Sequence, residues 1–231
     1  MTYDDPPVPR RTALSWVGLG LAGGALAALL LPGRRALAKR VFPADGAVDF
    51  VARRQGSVVG AHRLNFTRKD DTFSVRTDIA LDVRTGGAAL RRFVHHAEEV
   101  WRDGWLDAVV SDTDDDGRRY QVRAAREAGI FTGTVNGAAF TVSGYIIPSS
   151  LWHRDTPESQ ILFDTVDGRV KVIRSELIGS EDVPAGGATV SARHFALHGG
   201  IPRDIWYDAD CRLVRIALIG RDGVPVVFER Q

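Results

Sequence analysis

Imidazole and carboxylate side chains occur close together in the middle of the chain, and these groups can carry out acid–base chemistry. His95 is followed by Glu99 and Asp103, and His153 lies further along. A carboxylate and an imidazole that converge in one pocket can act as general acid and base in hydrolysis. One hypothesis is therefore a hydrolase that uses these carboxylates with His95 or His153. It requires the groups to meet in a single pocket.

Two patterns resemble metal sites, and neither meets the ligand requirements. Residues 112–117 carry oxygen ligands at alternate positions and a glycine at the sixth, like a calcium-binding loop, but Arg123 stands where a bidentate glutamate is needed. His194 and His198 are four residues apart, which on a strand separates them by ~13 Å. We therefore predict no metal site and no cofactor, and we interpret the acidic run as a hairpin turn.

Several other classes of function are excluded or disfavoured by composition and motifs. The net charge of +1 provides no basic field for nucleic acid. A single cysteine, Cys211, excludes an internal disulfide framework. The sequence contains no GxSxG nucleophile motif, no P-loop and no dinucleotide fingerprint. The sequence therefore favours a protein that is not an enzyme.

Large aromatic residues are the most suggestive feature of the chain after residue 38. On a curved sheet such side chains can line a ligand cleft, where an indole N–H serves as a polar handle, although they are also ordinary core residues. On the ligand-binding hypothesis, the substitution Trp152→Ala weakens ligand retention more than it lowers stability. The candidate ligand-binding residues, expected on a concave face, are Trp101, Trp152, Trp206 and Tyr207.

The elements that must position these residues are predicted to be β-strands. Apolar and polar residues alternate from Thr72 to Arg84, which is typical of a half-buried antiparallel strand. Shorter runs of this kind recur, separated by turn signals such as Asn136-Gly137. Roughly ten to twelve strands are expected. The predicted fold is an all-β antiparallel meander that forms a curved clam, an open barrel or a sandwich, with short helix candidates at 87–92 and 148–154.

The first 38 residues have the layout of an export signal. Arg10-Arg11 precedes an apolar run over residues 13–31, and Ala36-Leu37-Ala38 is a small-x-small cleavage site. Adjacent arginines are typical of the twin-arginine route, so the translocase of that route is an expected partner. Cleavage would leave a single periplasmic β-rich domain, residues 39–231, with no stable membrane span. The alternative is an uncleaved anchor, because the apolar run approaches the ~20 residues that span a bilayer.

Three segments together resemble an uncharacterised family of exported proteobacterial proteins, a domain of unknown function. The segments are Glu99–Leu106, of the form E-x-W-x-D-G-x-L, then Ser149-Ser150-Leu151-Trp152, and Ile205-Trp206-Tyr207-Asp208. The resemblance spans about residues 48–229. It implies a long, curved antiparallel sheet in the periplasm, and it supplies no established catalytic residues.

Three functions remain open from the sequence. The leading hypothesis is a non-catalytic periplasmic protein that binds an apolar or amphipathic ligand, such as a lipid-like molecule of the cell envelope. The first alternative is a structural or interaction module of the envelope that works through an exposed sheet edge. The second is the carboxylate–histidine hydrolase.

Overall fold

Antiparallel β-strands make up most of the protein, as the alternating sequence predicts. The computed structural model describes residues 46–85 and 88–231. These residues contain no α-helix, and one 3-10 turn covers Thr156–Glu158. The strands are β1 (Ala47–Arg54), β2 (Ser57–Lys69), β3 (Thr72–Thr85), β4 (Ala88–Arg102), β5 (Trp105–Asp115), β6 (Arg118–Glu127), β7 (Ile130–Val135), β8 (Ala138–Ser143), β9 (Ile161–Phe163), β10 (Val170–Ala185), β11 (Ala188–Gly199), β12 (Arg203–Asp208), β13 (Leu213–Ile219) and β14 (Pro225–Arg230).

Tight two-residue turns join many of these strands. At Asn136-Gly137 both residues have positive φ, +49° and +85°, which is the backbone that a two-residue type I′ hairpin requires. Asp103-Gly104 and Asp116-Gly117 adopt the same geometry. The Asp-rich run at 112–117 is thus the end of β5 and its hairpin turn, as predicted from the sequence.

All fourteen strands belong to one open sheet. Its order is β8-β7-β6-β5-β4-β3-β2-β1-β14-β13-β12-β11-β10-β9, so the chain meanders except where β1 pairs with β14. The all-β antiparallel meander is confirmed, with more strands than the ten to twelve expected. The edge strands β8 and β9 are not hydrogen-bonded to each other. Residues 147 and 149 instead bond to Phe163 on the free side of β9.

Contacts between distant strands show that the sheet is strongly curved. Asp115 ends β5 and Arg221 lies between β13 and β14, five strand spacings away in the sheet order. A flat sheet would separate them by ~24 Å at ~4.8 Å per strand. An Arg221 guanidinium nitrogen nevertheless lies 3.3 Å from the Asp115 carboxylate. The sheet therefore encloses an interior.

The chain between β8 and β10 fills this interior, and we call residues 144–169 the inner segment. Tyr207 on β12 donates a hydrogen bond to the carbonyl of Leu151 (2.6 Å). Ser111 on β5 donates one to the carbonyl of Thr165 (2.5 Å). The inner segment thus contacts strands from both halves of the sheet. The face that it covers, which carries Phe73, Val75 and Thr77, is called the inner face.

The structure covers residues of both short helix candidates of the sequence. Both short helix candidates are wrong: residues 88–92 belong to β4, and residues 148–154 form irregular chain within the inner segment. Among the residues that the structure describes, none forms a helix long and apolar enough to cross a membrane.

Candidate functional site

Three of the four predicted aromatic residues point into the interior. Trp101, Trp152 and Tyr207 are each at most 3% exposed and belong to the main hydrophobic core. Trp206 lies on the opposite face of β12, in a smaller cluster with Val183 and Val214. Neighbouring residues on a strand face opposite sides of the sheet, so Trp206 and Tyr207 cannot both reach the inner face. The structure does not bring Trp206 together with the others.

A fully buried carboxylate joins the two interior tryptophans. The Glu99 Oε2 atom accepts hydrogen bonds from the indole N–H of Trp101 and from that of Trp152, both at 3.0 Å. Trp101 lies two residues further along β4 and so on the same face, whereas Trp152 belongs to the inner segment. Glu99 therefore ties the inner segment to the sheet.

Burial changes the acidity of this carboxyl group. Desolvation raises the pKa of Glu99 to about 6, and hydrogen bonds from Ser150, Trp152 and Trp101 oppose the rise. The Ser150 hydroxyl is close enough to favour the charged form, although it makes no hydrogen bond of standard geometry with Oε1. A raised pKa of this kind is typical of carboxyl groups that act as general acids, but packed indole rings surround Glu99.

Aromatic rings fill the space around Glu99. Trp152 contacts Phe66 and Phe73, with ring centroids 5.7 and 5.9 Å away. His153 stacks on Trp101 at 5.0 Å, and burial lowers the pKa of His153 to about 4. These rings are packed against one another as a core is. The tryptophans therefore hold the inner segment in place and do not line an open cleft.

The open space lies beside this cluster, between the inner segment and the strands β2–β4 and β12–β14. It is a cavity of about 220 Å³. Its lining includes the partly exposed side chains of Arg91 and Asp164, which are 28% and 15% exposed. The apolar walls are Ile79, Leu81, Phe93, Ile216, Leu218 and Phe228.

One side of the cavity is polar, because several polar side chains point inward from the sheet. His62, Ile79, His95 and Thr113 are directly paired neighbours across β2 to β5. His95 Nδ1 lies 2.8 Å from Thr113 Oγ1, and its Nε2 lies 3.2 Å from Thr165 Oγ1. Since the Thr113 hydroxyl donates to the Val166 carbonyl (3.2 Å), it accepts from His95 Nδ1–H. Neutral His95 therefore carries its proton on Nδ1.

Other polar groups at the cavity lack partners within the described part of the chain. His62 Nε2, Thr77 Oγ1 and Arg203 Nε are buried and form no hydrogen bond there. His62 packs between Phe50 and Phe228, and burial lowers its pKa to about 3. Buried polar atoms cost free energy unless they are paired. The cavity thus combines apolar walls with a polar side.

Of the two histidines in the hydrolase hypothesis, His153 lies in the packed aromatic cluster around Glu99, and His95 lies away from it. His95 and Glu99 share the inner face of β4, but four residues on a strand separate them by ~13 Å. Asp103 lies in the turn after β4. Burial lowers the pKa of His95 to about 4, which makes it a weak base at neutral pH. The cavity described above is lined by His95 and by neither Glu99 nor His153.

The remaining sequence candidates lie elsewhere. His194 stacks on Trp206 and contacts Asp204 at 2.9 Å, whereas His198 contacts Glu176 at 3.1 Å. Within residues 46–85 and 88–231, no three His, Cys, Asp or Glu side chains are grouped to hold a metal ion. The signal and cleavage-site residues Arg10, Arg11, Ala36 and Ala38 lie outside the described residues.

Sequence reasoning missed the residues of the cavity. They could have been recognised as polar residues at strand positions where the alternation places side chains on the inner face. His62 shares the alternation of Leu64 and Phe66 on β2, and Thr77 shares that of Val75 and Ile79 on β3. A buried polar residue in an apolar row is informative because it needs a partner. Arg203 carries no such signal, since it begins a short strand.

Fold and cavity together define a class: an open, curved antiparallel sheet that wraps around an inner segment and a partly polar cavity. A family model for a domain of unknown function, DUF6134, matches residues 50–231, and the chain belongs to this family. The expected membership of a family of unknown function is thereby confirmed, whereas export stays a prediction. No curated protein matches the chain.

Proposed function

We propose that the protein binds a small amphipathic molecule in the interior cavity and does not act on it chemically. The observation that carries this proposal is the cavity of about 220 Å³ with apolar walls on one side and buried, unpartnered polar atoms on the other. At ~30 Å³ per water-sized group, the space accepts a ligand of roughly seven or more heavy atoms. The envelope ligand expected from the sequence would be a molecule of this kind.

The proposal is tested by filling the cavity. Leu218 is a half-buried wall residue of the cavity, so the substitution Leu218→Trp occupies volume that the ligand needs. Val110 points outward from β5 and is 44% exposed, which makes Val110→Trp the matched control. Straight-chain carboxylates and alcohols from butyl to decyl serve as probes in isothermal titration calorimetry.

We expect binding that is strongest at one intermediate chain length, is lost in Leu218→Trp and is unchanged in Val110→Trp. A finite cavity imposes such an optimum, whereas adsorption to exposed apolar surface increases steadily with chain length. Binding that grows with every added methylene and survives Leu218→Trp would disprove the proposal.

We also propose that residues 1–38 export the chain by the twin-arginine route to the periplasm. The support is the Arg10-Arg11 pair, the apolar run and the small-x-small site at Ala36 and Ala38. The test is to fractionate cells that express the full chain and sequence the N-terminus of the periplasmic form. We expect Lys39 as the first residue, and the double substitution of Arg10 and Arg11 by Lys to abolish export. A membrane-bound product that retains residue 1 would establish the anchor instead.

The exposed edge of β10 favours a second candidate, an interaction module. Beyond its pairing with β9 at residues 170–172, this strand is paired only with β11. Leu177 and Ile178 there are 60% and 54% exposed. If this edge were the functional surface, the double substitution of Leu177 and Ile178 by Lys would abolish crosslinking to a partner in cells and leave ligand binding intact.

A further inference from the structure

Arg203 is the most unusual charged group at the cavity. It begins β12, pairs with Leu197 on β11 and lines the cavity wall. Its Nε is buried without a hydrogen-bond partner among the described residues. Burial lowers the pKa of Arg203, and Asp164 opposes this shift from nearby. A buried guanidinium remains charged, so it requires a compensating negative charge.

The neighbouring carboxylates already have partners. Asp164 contacts Lys171 Nζ at 3.7 Å, and its Oδ1 accepts hydrogen bonds from the Ser149 hydroxyl (3.1 Å) and the Val166 amide (3.0 Å). Asp115 pairs with Arg91, the other arginine at the cavity, at 3.0 Å. Arg203 forms no ion pair with either carboxylate in the described part of the chain. Because Lys171 contacts Asp167 more closely, at 2.6 Å, the charge of Asp164 still acts on Arg203, but the guanidinium has no direct carboxylate partner there.

The other polar groups at this side also suit an anion. His62 and His95 are neutral at physiological pH, so neither adds a charge to this side of the cavity. The Thr77 hydroxyl has no hydrogen-bond partner among the described residues and can donate one. The walls opposite are the apolar residues described above, so a ligand with an anionic head and a short apolar body would satisfy both sides.

We infer that the ligand is an amphipathic carboxylate whose head group pairs with Arg203 and whose hydrocarbon body lies against Ile79, Phe93 and Leu218. The inference rests on the proposed binding function and specifies its ligand class. A carboxylate presents two oxygens that match the guanidinium fork, and such charge-assisted pairs are strong when water is excluded. The carboxylate could come from a free fatty acid or from a small metabolite, and the dependence of affinity on chain length distinguishes the two sources.

The experiment compares hexanoate, 1-hexanol and hexylamine, which share an apolar body and differ in head-group charge. Binding to the purified full-length chain is measured by calorimetry in the wild type and in Arg203→Met, Arg203→Lys and the control Arg174→Met. Arg174 is a β10 surface residue with 68% of its side chain exposed. Thermal unfolding of each ligand-free variant is recorded in parallel.

We expect hexanoate to bind at least tenfold more tightly than hexanol, and hexylamine to bind most weakly. In Arg203→Met the hexanoate affinity should fall at least tenfold, to that of hexanol, while hexanol binding persists. Arg203→Lys should retain part of the preference, and Arg174→Met all of it. Because Arg203 forms no ion pair and its Nε no hydrogen bond among the described residues, the melting temperature of ligand-free Arg203→Met should stay level.

The outcomes separate this inference from the proposed function. Equal affinities for the three probes would overturn the carboxylate assignment and leave the binding function standing. A lower melting temperature for Arg203→Met, with hexanol and hexanoate affinities reduced alike, would show that Arg203 is structural and would also overturn it. Failure of all chain lengths to bind would disprove the binding function itself.

Discussion

At the scale of single residues, Glu99 shows how a charge is kept in an apolar interior. An isolated buried carboxylate would cost several kcal/mol, and two indole N–H groups supply part of the lost hydration. The compensation is incomplete, because the pKa of Glu99 still rises to about 6. Ionisation of Glu99 therefore destabilises the fold at neutral pH.

The substitution Glu99→Gln tests this statement. The amide keeps an oxygen for the two indoles and carries no charge, so the ionisation cost disappears above pH 6. A shift from 4.5 to about 6 corresponds to about 2 kcal/mol of unfolding free energy. We expect the Glu99→Gln variant to gain this amount, relative to wild type, between pH 4 and pH 8 in urea unfolding. The exposed neighbour Glu98→Gln should show no such gain, and a pH-independent difference for Glu99→Gln would contradict the assignment.

The structure changes the effect that we expect from the substitution Trp152→Ala. The sequence alone predicts that Trp152→Ala weakens ligand retention more than stability. The side chain is 3% exposed, donates to Glu99 and contacts Phe66 and Phe73. With these contacts, we expect Trp152→Ala to lose ~3–5 kcal/mol of stability, the usual cost of truncating a buried aromatic residue. The half-buried Trp105→Ala should lose less, and similar losses in chemical denaturation would argue against a packed Glu99 cluster.

At the scale of elements, the inner segment depends on a close approach at Gly168. This residue has φ +67°, and a Cβ atom there would lie 2.2 Å from a Val135 methyl group on β7. Gly187, in the β10–β11 turn, has φ +75° and open space around it.

The pair Gly168→Ala and Gly187→Ala therefore separates backbone strain from packing. Both substitutions incur the ~1–2 kcal/mol cost of a left-handed residue, and only Gly168→Ala adds a clash of ~1–3 kcal/mol. We expect Gly168→Ala to melt at a clearly lower temperature than Gly187→Ala. Equal melting temperatures would mean that the inner segment is not held against β7.

Strands with clean alternation, such as β3, were predictable, whereas β4, which carries His95 and Glu99, was not. Thr72–Thr85 buries Phe73, Val75, Thr77, Leu81 and Val83 on one face, in agreement with the pattern. On β4 the inward positions include His95 and Glu99, while Val94 points outward, so the apolar period of two is lost. Because these polar residues interrupt the apolar alternation, the pattern did not predict the strand that carries them. β7 was missed because an Ala128-Gly129 turn, rather than an Asx-Gly turn, precedes it.

At the scale of the whole molecule, three buried histidines couple folding to pH. The pKa values of His62, His95 and His153 fall to about 3, 4 and 4. Their ordinary pKa is about 6.5, so the unfolded chain binds protons that the folded chain rejects. Their contribution to the unfolding free energy is complete above pH 6.5. It is lost progressively as the pH falls from 6.5 to about 4. Glu99 acts in the opposite sense between pH 6 and 4.5, since it binds its proton in the folded state first.

The net uptake of these four groups on unfolding is about two protons near pH 5. The unfolding free energy should therefore drop by about 3 kcal/mol per pH unit there. Urea titrations from pH 4 to pH 8 measure this slope. The triple substitution of the histidines by Phe, Phe and Gln should flatten it. A stability maximum below pH 5 would contradict neutral burial of the histidines.

The cavity could not be predicted because its walls come from the whole chain. Residues of β2, β3 and β4 face residues of β12, β13 and β14 across the inner segment, and curvature alone brings these groups together. Local patterns predict which residues point inward. They do not reveal how tightly a sheet bends, which depends on bulges such as those at Ala52/Arg53 and Val83/Arg84.

The pairing of β1 with β14 has a consequence for how the protein is made. Phe50 pairs with Arg230, which lies 180 residues later in the chain, so the centre of the sheet cannot form until Arg230 has been synthesised. At ~5–20 residues per second, a ribosome needs about 10 to 40 s to synthesise that interval. Throughout this time β1 presents an unpaired edge, the kind that recruits other strands. Such long-range pairing also slows folding itself. The edge of β1 therefore stays open to other strands until synthesis reaches β14.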